Sequence, residues 1–333
     1  MEQLQRLPSN IRILSYNQGG IFMDTNILLE SGTNELEILE FTVGGNHYGI
    51  NVAKVLEIMP YQQVTPVPNT HPNVEGLFMP RDRIISVISL RKCLGYPTDD
   101  SQSGLLFITN FNNLDTAFHV DEVLGIHRVS WEQIHTPDST ISSGTGEAGI
   151  ATGVLKMDDR LIVLLDFEKI ISWINPETSL RVSDMDNYVT KDRSASPILL
   201  AEDSKLLMKL IQECLTKAGY TNLILCENGQ EAWNKLRELK EQGDVLESVH
   251  CIITDIEMPQ MDGHRLTKLV KSDDIMKNIP VIIFSSLIND EIRRKGEALG
   301  ADAQLTKPEV GKLVDNVDRL VDLYESARNE NKR

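Results

Sequence analysis

The stretch VHCIITDIEMPQMDG, residues 249–263, decides the fold of the second half of this chain. It opens with a short apolar run, 249–254, and then passes into acidic and turn-forming residues. A short apolar run bounded by turn formers is typical of a buried strand in a parallel sheet. Asp255 therefore stands where such a strand ends, at the edge of the sheet where doubly wound domains form their sites.

The same pattern recurs on both sides of this stretch. Predicted strands alternate with helical patterns in which apolar residues recur three and four positions apart, as at Leu207, Leu210 and Ile211. The strands are predicted at 198–200, 222–225, 249–254, 281–284 and 303–305. This alternation predicts an α/β domain with a doubly wound, five-strand parallel sheet.

Polar side chains follow four of these strands and converge on one edge of the sheet. Glu202 and Asp203 follow the first strand, Asp255 the third, Ser285 the fourth and Lys307 the fifth. Solvated loop charges would explain any one of them but explain poorly all five together. Three carboxylates would repel one another without a hard cation, and their oxygen ligands favour Mg²⁺. A carboxylate beside that cation and a lysine can attack phosphorus.

Residues 197–325 resemble the response-regulator receiver family, whose fold is flavodoxin-like. The resemblance is carried by the acidic pair at 202–203, Asp255 with Met258-Pro259 and Met261-Asp262-Gly263, the hydroxyl of Ser285, and Lys307-Pro308. It implies that Asp255 is the phosphoacceptor and that Asp203, Asp255 and the backbone carbonyl of Glu257 ligate Mg²⁺. It further implies that Glu202 acts on the metal through water and that Lys307 pairs with the phosphoryl group.

Two further expectations follow from the receiver resemblance. The peptide bond between Lys307 and Pro308 is expected to be cis. Receivers usually carry Tyr or Phe three residues before this lysine, and here that position is Gln304. Because the aromatic part of the usual switch is missing, we expect a different or weaker conformational readout on the face formed by the fourth and fifth strands.

The bulk composition describes a two-domain protein and excludes several functions. A chain of 333 residues exceeds one ordinary core, and its net charge of −16 opposes the phosphate backbone of nucleic acids. No apolar run approaches the ~20 residues of a membrane span, so we expect no direct membrane insertion. The four cysteines show no zinc spacing and are expected to be reduced thiols of a cytoplasmic protein.

The seam between the domains is predicted at 176–196, which has few large apolar residues and several turn formers. We predict an N-terminal extension over 1–35, a β-rich domain over 36–175, the receiver over 197–325 and a polar tail over 326–333. The first 22 residues lack a periodic pattern, which leaves Met23 open as an alternative start.

The β-rich domain contains an internal duplication. GLFMPRDRIISVISLRKCL, 76–94, aligns without gaps on GVLKMDDRLIVLLDFEKII, 153–171, and VAKVLEI, 52–58, echoes VDEVLGI, 120–126. Each long copy reads as a glycine, a charged turn, an apolar strand and a short helix. We predict a duplicated β unit that forms two small packed barrels, although chance similarity among apolar strands also remains open.

Residues 36–171 resemble the CheW-like chemotaxis coupling domain, an all-β double barrel. The resemblance is carried by the apolar positions and glycines of 39–58 and 65–95 and by HVDEV at 119–123. It implies that Arg81 contacts receptor and kinase. Asp82 stands where the family usually has glycine, which puts the backbone of this turn in question, and the second copy carries Asp158 opposite Arg81.

Together the two resemblances imply an adaptor of bacterial chemotaxis. It would couple methyl-accepting chemoreceptors to a histidine kinase and would be modulated by Mg²⁺-dependent phosphorylation of Asp255. Self-catalysed phosphoryl transfer is the only chemistry expected, so we do not expect an enzyme with an external substrate. A phosphate sink, whose receiver drains the kinase without switching the adaptor, stays open. A haloacid-dehalogenase-type phosphatase fits poorly, because position 257 holds Glu where that chemistry normally uses Asp.

Overall fold

In the computed structural model, the described residues form two compact units, and each is treated by itself. The described ranges are 13–17, 20–23, 34–97, 103–111, 114–135, 149–157, 159–175, 193–286, 288, 290–307 and 310–331. The described residues up to 175, except Asn34, form the N-terminal unit, and Asn34 with 193–331 forms the C-terminal unit. No helix in these ranges is long and apolar enough to cross a membrane.

Two β-sheets and two short helices make up the described part of the N-terminal unit. The strands are β1 (Ile13–Asn17), β2 (Gly20–Met23), β3 (Glu35–Val43), β4 (Asn46–Asn51), β5 (Val55–Pro60), β6 (Val74–Phe78), β7 (Ile85–Ser89), β8 (Leu105–Phe111), β9 (Leu114–Val120), β10 (Glu122–Ser130), β11 (Ile134–His135), β12 (Ala151–Lys156) and β13 (Leu161–Leu165). The helices are α1 (Leu90–Cys93) and α2 (Phe167–Ile174), and single 3₁₀ turns cover Val52–Lys54, Pro80–Asp82 and Trp131–Gln133.

The two copies of the sequence echo fold in the same way, as the duplication predicted. The antiparallel pair β6 and β7 leads into α1, and the antiparallel pair β12 and β13 leads into α2. The sheets are ordered β1-β2-β5-β8-β9-β7-β6 and β10-β3-β4-β13-β12-β11. In the first sheet, the hairpin β8–β9 pairs with strands of the first copy, β5 and β7. In the second sheet, the hairpin β3–β4 pairs with strands of the second copy, β10 and β13. Each sheet therefore contains strands from both halves of the duplication.

A cluster of phenylalanines fills the core between these elements. The ring centroids of Phe41 and Phe107 are 5.3 Å apart, those of Phe107 and Phe118 5.6 Å, and those of Phe118 and Phe167 4.8 Å. Phe41 lies on β3 of the second sheet, and Phe107 and Phe118 lie on the first sheet. All four side chains are fully buried, and each contributes about 1.5 to 3 kcal/mol of hydrophobic stabilisation.

The C-terminal unit has the predicted architecture, a five-strand parallel sheet with helices on both faces. Its strands are β14 (Ile198–Ala201), β15 (Leu223–Cys226), β16 (Cys251–Thr254), β17 (Val281–Ser285) and β18 (Ala303–Thr306), in the order β15-β14-β16-β17-β18. The helices are α3 (Lys205–Ala218), α4 (Gly229–Glu241), α5 (Val245–Ser248), α6 (Gly263–Lys271), α7 (Asp290–Ala298) and α8 (Val310–Asn331). Separate hydrophobic clusters cover the two faces of the sheet.

Several segments differ from the simple domain plan expected from the sequence. Part of the extension 1–35 forms the hairpin of β1 and β2, which pairs with β5 through Ile21 and Ile58. Helix α8 continues to Asn331 and so includes most of the segment 326–333 that was expected as a polar tail. Pro308 and Asp158, and with them the expected cis peptide, lie outside the described residues.

Candidate functional site

The parallel register of the C-terminal sheet brings the predicted carboxylates together. Strand β14 pairs with β16, and Ala201 lies opposite Thr254, so Glu202 and Asp255 emerge side by side. Oxygen atoms of Glu202, Asp203 and Asp255 lie within 4.8 Å of one another. This spacing and the all-oxygen donor set fit a hard divalent cation such as Mg²⁺.

Lys307 closes the carboxylate cluster from the end of β18. Its Nζ lies 2.8 Å from Oδ2 of Asp255 and 3.1 Å from Oε2 of Glu202. The three side chains are almost fully buried, with 7%, 6% and 1% of the side-chain area exposed for Lys307, Asp255 and Glu202 respectively. Buried charges of this kind persist only when they are paired, so the ammonium group offsets part of the carboxylate repulsion.

The electrostatics of Glu202 show that one lysine does not neutralise the cluster. Burial raises the pKa of Glu202 well above its ordinary value, and the charges of Asp255 and Asp203 raise it further, whereas Lys307 lowers it. Burial and repulsion outweigh the single ammonium group. A second positive charge at the cluster would favour the ionised form of Glu202, which again fits a divalent cation.

The loop after Asp255 is shaped by close backbone contacts. The backbone amide of Ile256 donates to Oδ1 of Asp255 at 2.6 Å, which fixes the carboxylate. The amide of Gly263 donates to the carbonyl of Ile256 at 2.9 Å, and a Cβ atom on Gly263 would lie 1.9 Å from the carbonyl oxygen of Asp255. Glycine at 263 is therefore a packing requirement of the loop, which explains the end of the quoted motif.

The remaining predicted residues of the receiver lie at or near the same edge. Ser285 ends β17, is 2% exposed, and lies opposite Thr306, the residue before Lys307. Glu257 follows Asp255 by two residues and is half-buried. The sheet thus brings Glu202, Asp203, Asp255 and Lys307 into direct proximity and places Ser285 at the end of the neighbouring strand.

Arg81 lies in the N-terminal unit, on a turn with unusual backbone geometry. Arg81 and Asp82 both adopt left-handed conformations, with φ of 50° and 64°, which non-glycine residues adopt only at a cost. The guanidinium group donates two hydrogen bonds to Glu57, of 2.8 and 3.3 Å. Glu57 is buried on β5, and burial raises its pKa although Arg81 and Arg83 lower it.

Comparisons with known proteins agree with this geometry. The CheW-like domain model matches residues 37–175, and the response regulator receiver domain model matches residues 198–318. Chemotaxis protein CheV3 of Helicobacter pylori is 30% identical over 302 residues, which cover 87% of this chain and 96% of the relative. The chain belongs to the CheV family of chemotaxis proteins.

Other relatives match the whole chain or one of its units. Chemotaxis protein CheV2 of Helicobacter pylori is 27% identical over 299 residues, covering 83% of this chain and 92% of the relative. Chemotaxis protein CheW of Thermotoga maritima is 31% identical over 146 residues, covering 44% of this chain and 94% of the relative. This CheV-family chain is therefore a coupling protein of the CheW type joined to a receiver domain.

In this CheV-family protein, glutamine stands at position 304, where receivers usually have an aromatic residue. Gln304 lies on β18, is 8% exposed, and donates from Nε2 to the carbonyl of Arg293 on α7 at 2.7 Å. Its Oε1 is buried and has no hydrogen-bond partner among the described residues, and a Cβ atom on Gly296 would lie 2.3 Å from that oxygen. The amide thus ties β18 to α7 where a glycine leaves room for it.

Two residues of these sites were not foreseen from the sequence. Glu57 anchors Arg81, and its only signal was a single acidic residue inside the apolar strand VLEIMP. Gly296 accommodates Gln304, and nothing in the sequence pattern distinguished it from other helical glycines. Both act through contacts between segments separated along the chain, which periodicity does not report.

Proposed function

We propose that this protein couples methyl-accepting chemoreceptors to a chemotaxis histidine kinase in the cytoplasm and that Mg²⁺-dependent phosphorylation of Asp255 changes this coupling. The observation that supports this proposal most strongly is that Glu202, Asp203, Asp255 and Lys307 lie together at one edge of the sheet. No nucleic acid is expected among the partners, because the net charge of −16 opposes phosphate binding.

Each residue of the cluster has a proposed role in phosphoryl transfer. A carboxylate oxygen of Asp255 forms the new bond to phosphorus, while the bond between phosphorus and the kinase histidine nitrogen breaks and its electron pair stays on the imidazole. Lys307, already 2.8 Å from Asp255, pairs with the transferred oxygens. Ser285 supplies a hydroxyl to the phosphoryl group from the neighbouring strand.

Mg²⁺ would be held by Asp203, Asp255 and the backbone carbonyl of Glu257, with Glu202 acting through water. When bound, the cation neutralises charge that develops on the phosphoryl oxygens. The resulting phosphoaspartate adds negative charge at a buried cleft that already holds Glu202 and Asp203. No external substrate is turned over, so the protein acts as a phosphorylated adaptor and not as an enzyme in the usual sense.

Arg81 is proposed as the partner-binding residue of the coupling unit. Exposed apolar side chains flank its turn, since Met79 is 64% exposed and Ile84 71%. The pair with Glu57 holds the guanidinium in place, while about a third of the Arg81 side chain stays accessible. A strained turn held by a partly buried ion pair and flanked by apolar groups supports a protein contact there.

A phosphate sink is the second candidate function. It is favoured by Gln304, because an amide tied to the carbonyl of Arg293 replaces the aromatic side chain of the usual switch. In that case phosphorylation of Asp255 would drain the kinase and leave the coupling unit unchanged.

Receptor and kinase binding by wild type and Asp255→Asn, each with and without kinase activity and ATP, separates the two functions. The switch predicts that binding changes only in the phosphorylated wild type. Equal binding in all four samples would contradict the switch and leave the sink. Phosphorylation is measured in a separate assay, from the label that the protein retains. A failure to phosphorylate is therefore not mistaken for a failure to switch.

A further inference from the structure

The end of the predicted linker is fastened to the last helix of the receiver unit. Arg193 and Ser196 precede β14 and lie within the segment 176–196 expected to connect the domains. Both bond to acidic side chains of α8, Arg193 to Asp318 and Ser196 to Glu325. Residues seven apart lie on one face of a helix, so Asp318 and Glu325 bind the linker end from the same face of α8.

Arg193 is held from several sides. Its guanidinium donates to Asp318 and to the carbonyl of Ala218, and it lies 5.3 Å from the ring centroid of Tyr220. Tyr220 donates its hydroxyl to the other oxygen of Asp318 at 2.7 Å. The Arg193 side chain is only 12% exposed, so this ion pair is shielded from solvent and from screening by salt.

Ser196 is held by a second cluster at the far end of the helix. Its hydroxyl donates to Oε1 of Glu325 at 2.7 Å, and the same oxygen lies 2.9 Å from Nδ1 of His250. Nε2 of His250 faces Arg328 at 3.0 Å, and Arg328 also pairs with Glu247. This network uses the part of α8 that lies beyond residue 318, where the match to the receiver domain model ends.

Helix α8 runs from the phosphorylation edge to the linker. It begins three residues after Lys307, and its 22 residues correspond to about 33 Å. Its buried face packs on the sheet through Leu313, Val314, Val317, Leu320 and Val321. An unbroken helix moves as one body, so a displacement near Lys307 reaches the residues that hold Arg193 and Ser196.

We infer that α8 is the output element of the receiver and that it transmits phosphorylation to the linker through Asp318 and Glu325. The inference rests on the proposed phosphorylation of Asp255. Lys307 bonds directly to Asp255, so a phosphoryl group there changes the partners of Lys307 and the position of the helix that follows. The linker end is released or shifted because both of its anchors lie on that helix.

Hydrogen exchange of the full-length protein tests the inference, with beryllium fluoride and Mg²⁺ as the phosphoryl mimic. In wild type, exchange of a peptide covering 193–197 should change several-fold on addition of the mimic, because the amide of Ser196 donates to the carbonyl of Arg193. The double variant Asp318→Asn/Glu325→Gln should lose this difference while residues 255–257 still respond. Asp322→Asn, which removes one negative charge at an exposed position of α8, should behave as wild type.

Two outcomes would overturn the inference. An unchanged 193–197 peptide in wild type, or a double variant that keeps the full difference, would show that α8 is not the route. Ser196→Ala, which removes a single hydroxyl, provides a milder variant if the double variant folds poorly, and a partial loss is expected. No response at 255–257 would refute the phosphoacceptor itself. A response of the linker without a change in kinase binding would leave the inference standing and refute the proposed coupling switch.

Discussion

A Cβ atom on Gly263 would lie 1.9 Å from the carbonyl oxygen of Asp255, well inside any permitted contact. The loop that follows Asp255, the proposed phosphoacceptor, therefore depends on a residue eight positions away. Gly263→Ala should force the backbone of Asp255 to move and cost about 2 kcal/mol or more of receiver stability. Chemical denaturation and Mg²⁺ titration calorimetry should show lower stability and weaker metal binding.

Gly243→Ala is the matched control for this substitution. Gly243 has φ of 79°, and no atom of the described part of the chain lies within 4 Å of where its Cβ would be, so alanine there costs only about 1 kcal/mol of backbone strain. Mg²⁺ binding should stay at the wild-type level. Equal effects of the two substitutions on metal binding would contradict the role assigned to Gly263.

Arg81 should have two roles that can be separated by mutation: it stabilises the coupling unit, and it binds a partner. Arg81→Ala leaves Glu57 buried without its cation and should cost about 1 to 2 kcal/mol, discounted because Arg81 is a third exposed. Denaturation should show this loss, and binding to kinase and receptor should fall with it. In Arg81→Ala/Glu57→Gln the buried charge is gone, so stability should largely recover.

Binding should not recover in that double variant. If it returned to the wild-type level together with stability, Arg81 would have only a structural role. Glu57→Gln alone serves as the control, because Arg81 keeps a hydrogen-bond acceptor and both properties should stay close to wild type.

His119 makes the stability of the coupling unit depend on pH. Nδ1 lies 2.9 Å from Glu75, and Nε2 lies 2.8 Å from the carbonyl of Ser103. Burial alone would lower its pKa, but Glu75 and the other acceptors raise the pKa of His119 above its ordinary value of 6.5. Because the folded value exceeds the unfolded one, the stabilisation is complete below pH 6.5 and is lost as pH rises through the folded pKa.

The difference in unfolding free energy between wild type and His119→Asn should therefore shrink as pH increases. Urea denaturation over a series from about pH 6 to pH 9 measures it. His135→Asn, which removes an exposed histidine of the same unit, serves as the control variant. A difference that grew with pH would contradict the proposed pairing of His119 with Glu75.

Gln304 should limit the conformational response of strand β18 and helix α7. Its amide donates to the carbonyl of Arg293 at 2.7 Å and replaces a ring that could change orientation. On addition of beryllium fluoride and Mg²⁺, amide resonances of 202–204 and 255–257 should shift most. Large shifts localised on 303–306 and 290–298 would show that this expectation is wrong, and Gln304→Ala should enlarge any shift that does occur there.

The receiver sheet was predictable because its signals are local. The run predicted at 249–254 became β16 at Cys251–Thr254, and the other four strands agree similarly. The three central strands β14, β16 and β17 are buried along their whole length, so their apolar runs are continuous and end at a polar residue. The carboxylate cluster follows directly, since parallel strands place Glu202 and Asp255 at one edge.

The coupling unit was less predictable because its pairing is not local. The repeated hairpin and helix were visible in the sequence. The sequence did not show that β3–β4 pairs with strands of the second copy and β8–β9 with strands of the first, because many pairings satisfy the same apolar pattern. The pair of Arg81 with Glu57 joins β5 to a later turn, and the hairpin β1–β2 pairs with the edge of β5. Such contacts depend on topology, which periodicity does not specify.

Transfer of labelled phosphate from a chemotaxis histidine kinase tests the central claim most directly. Wild-type protein with Mg²⁺ should acquire the label, and both removal of Mg²⁺ by a chelator and the substitution Asp255→Asn should abolish it. Asp274→Asn is the matched control, because this fully exposed aspartate lies away from the cluster. Label retained on the Asp255→Asn variant at the wild-type level would contradict the assignment of Asp255 as the phosphoacceptor.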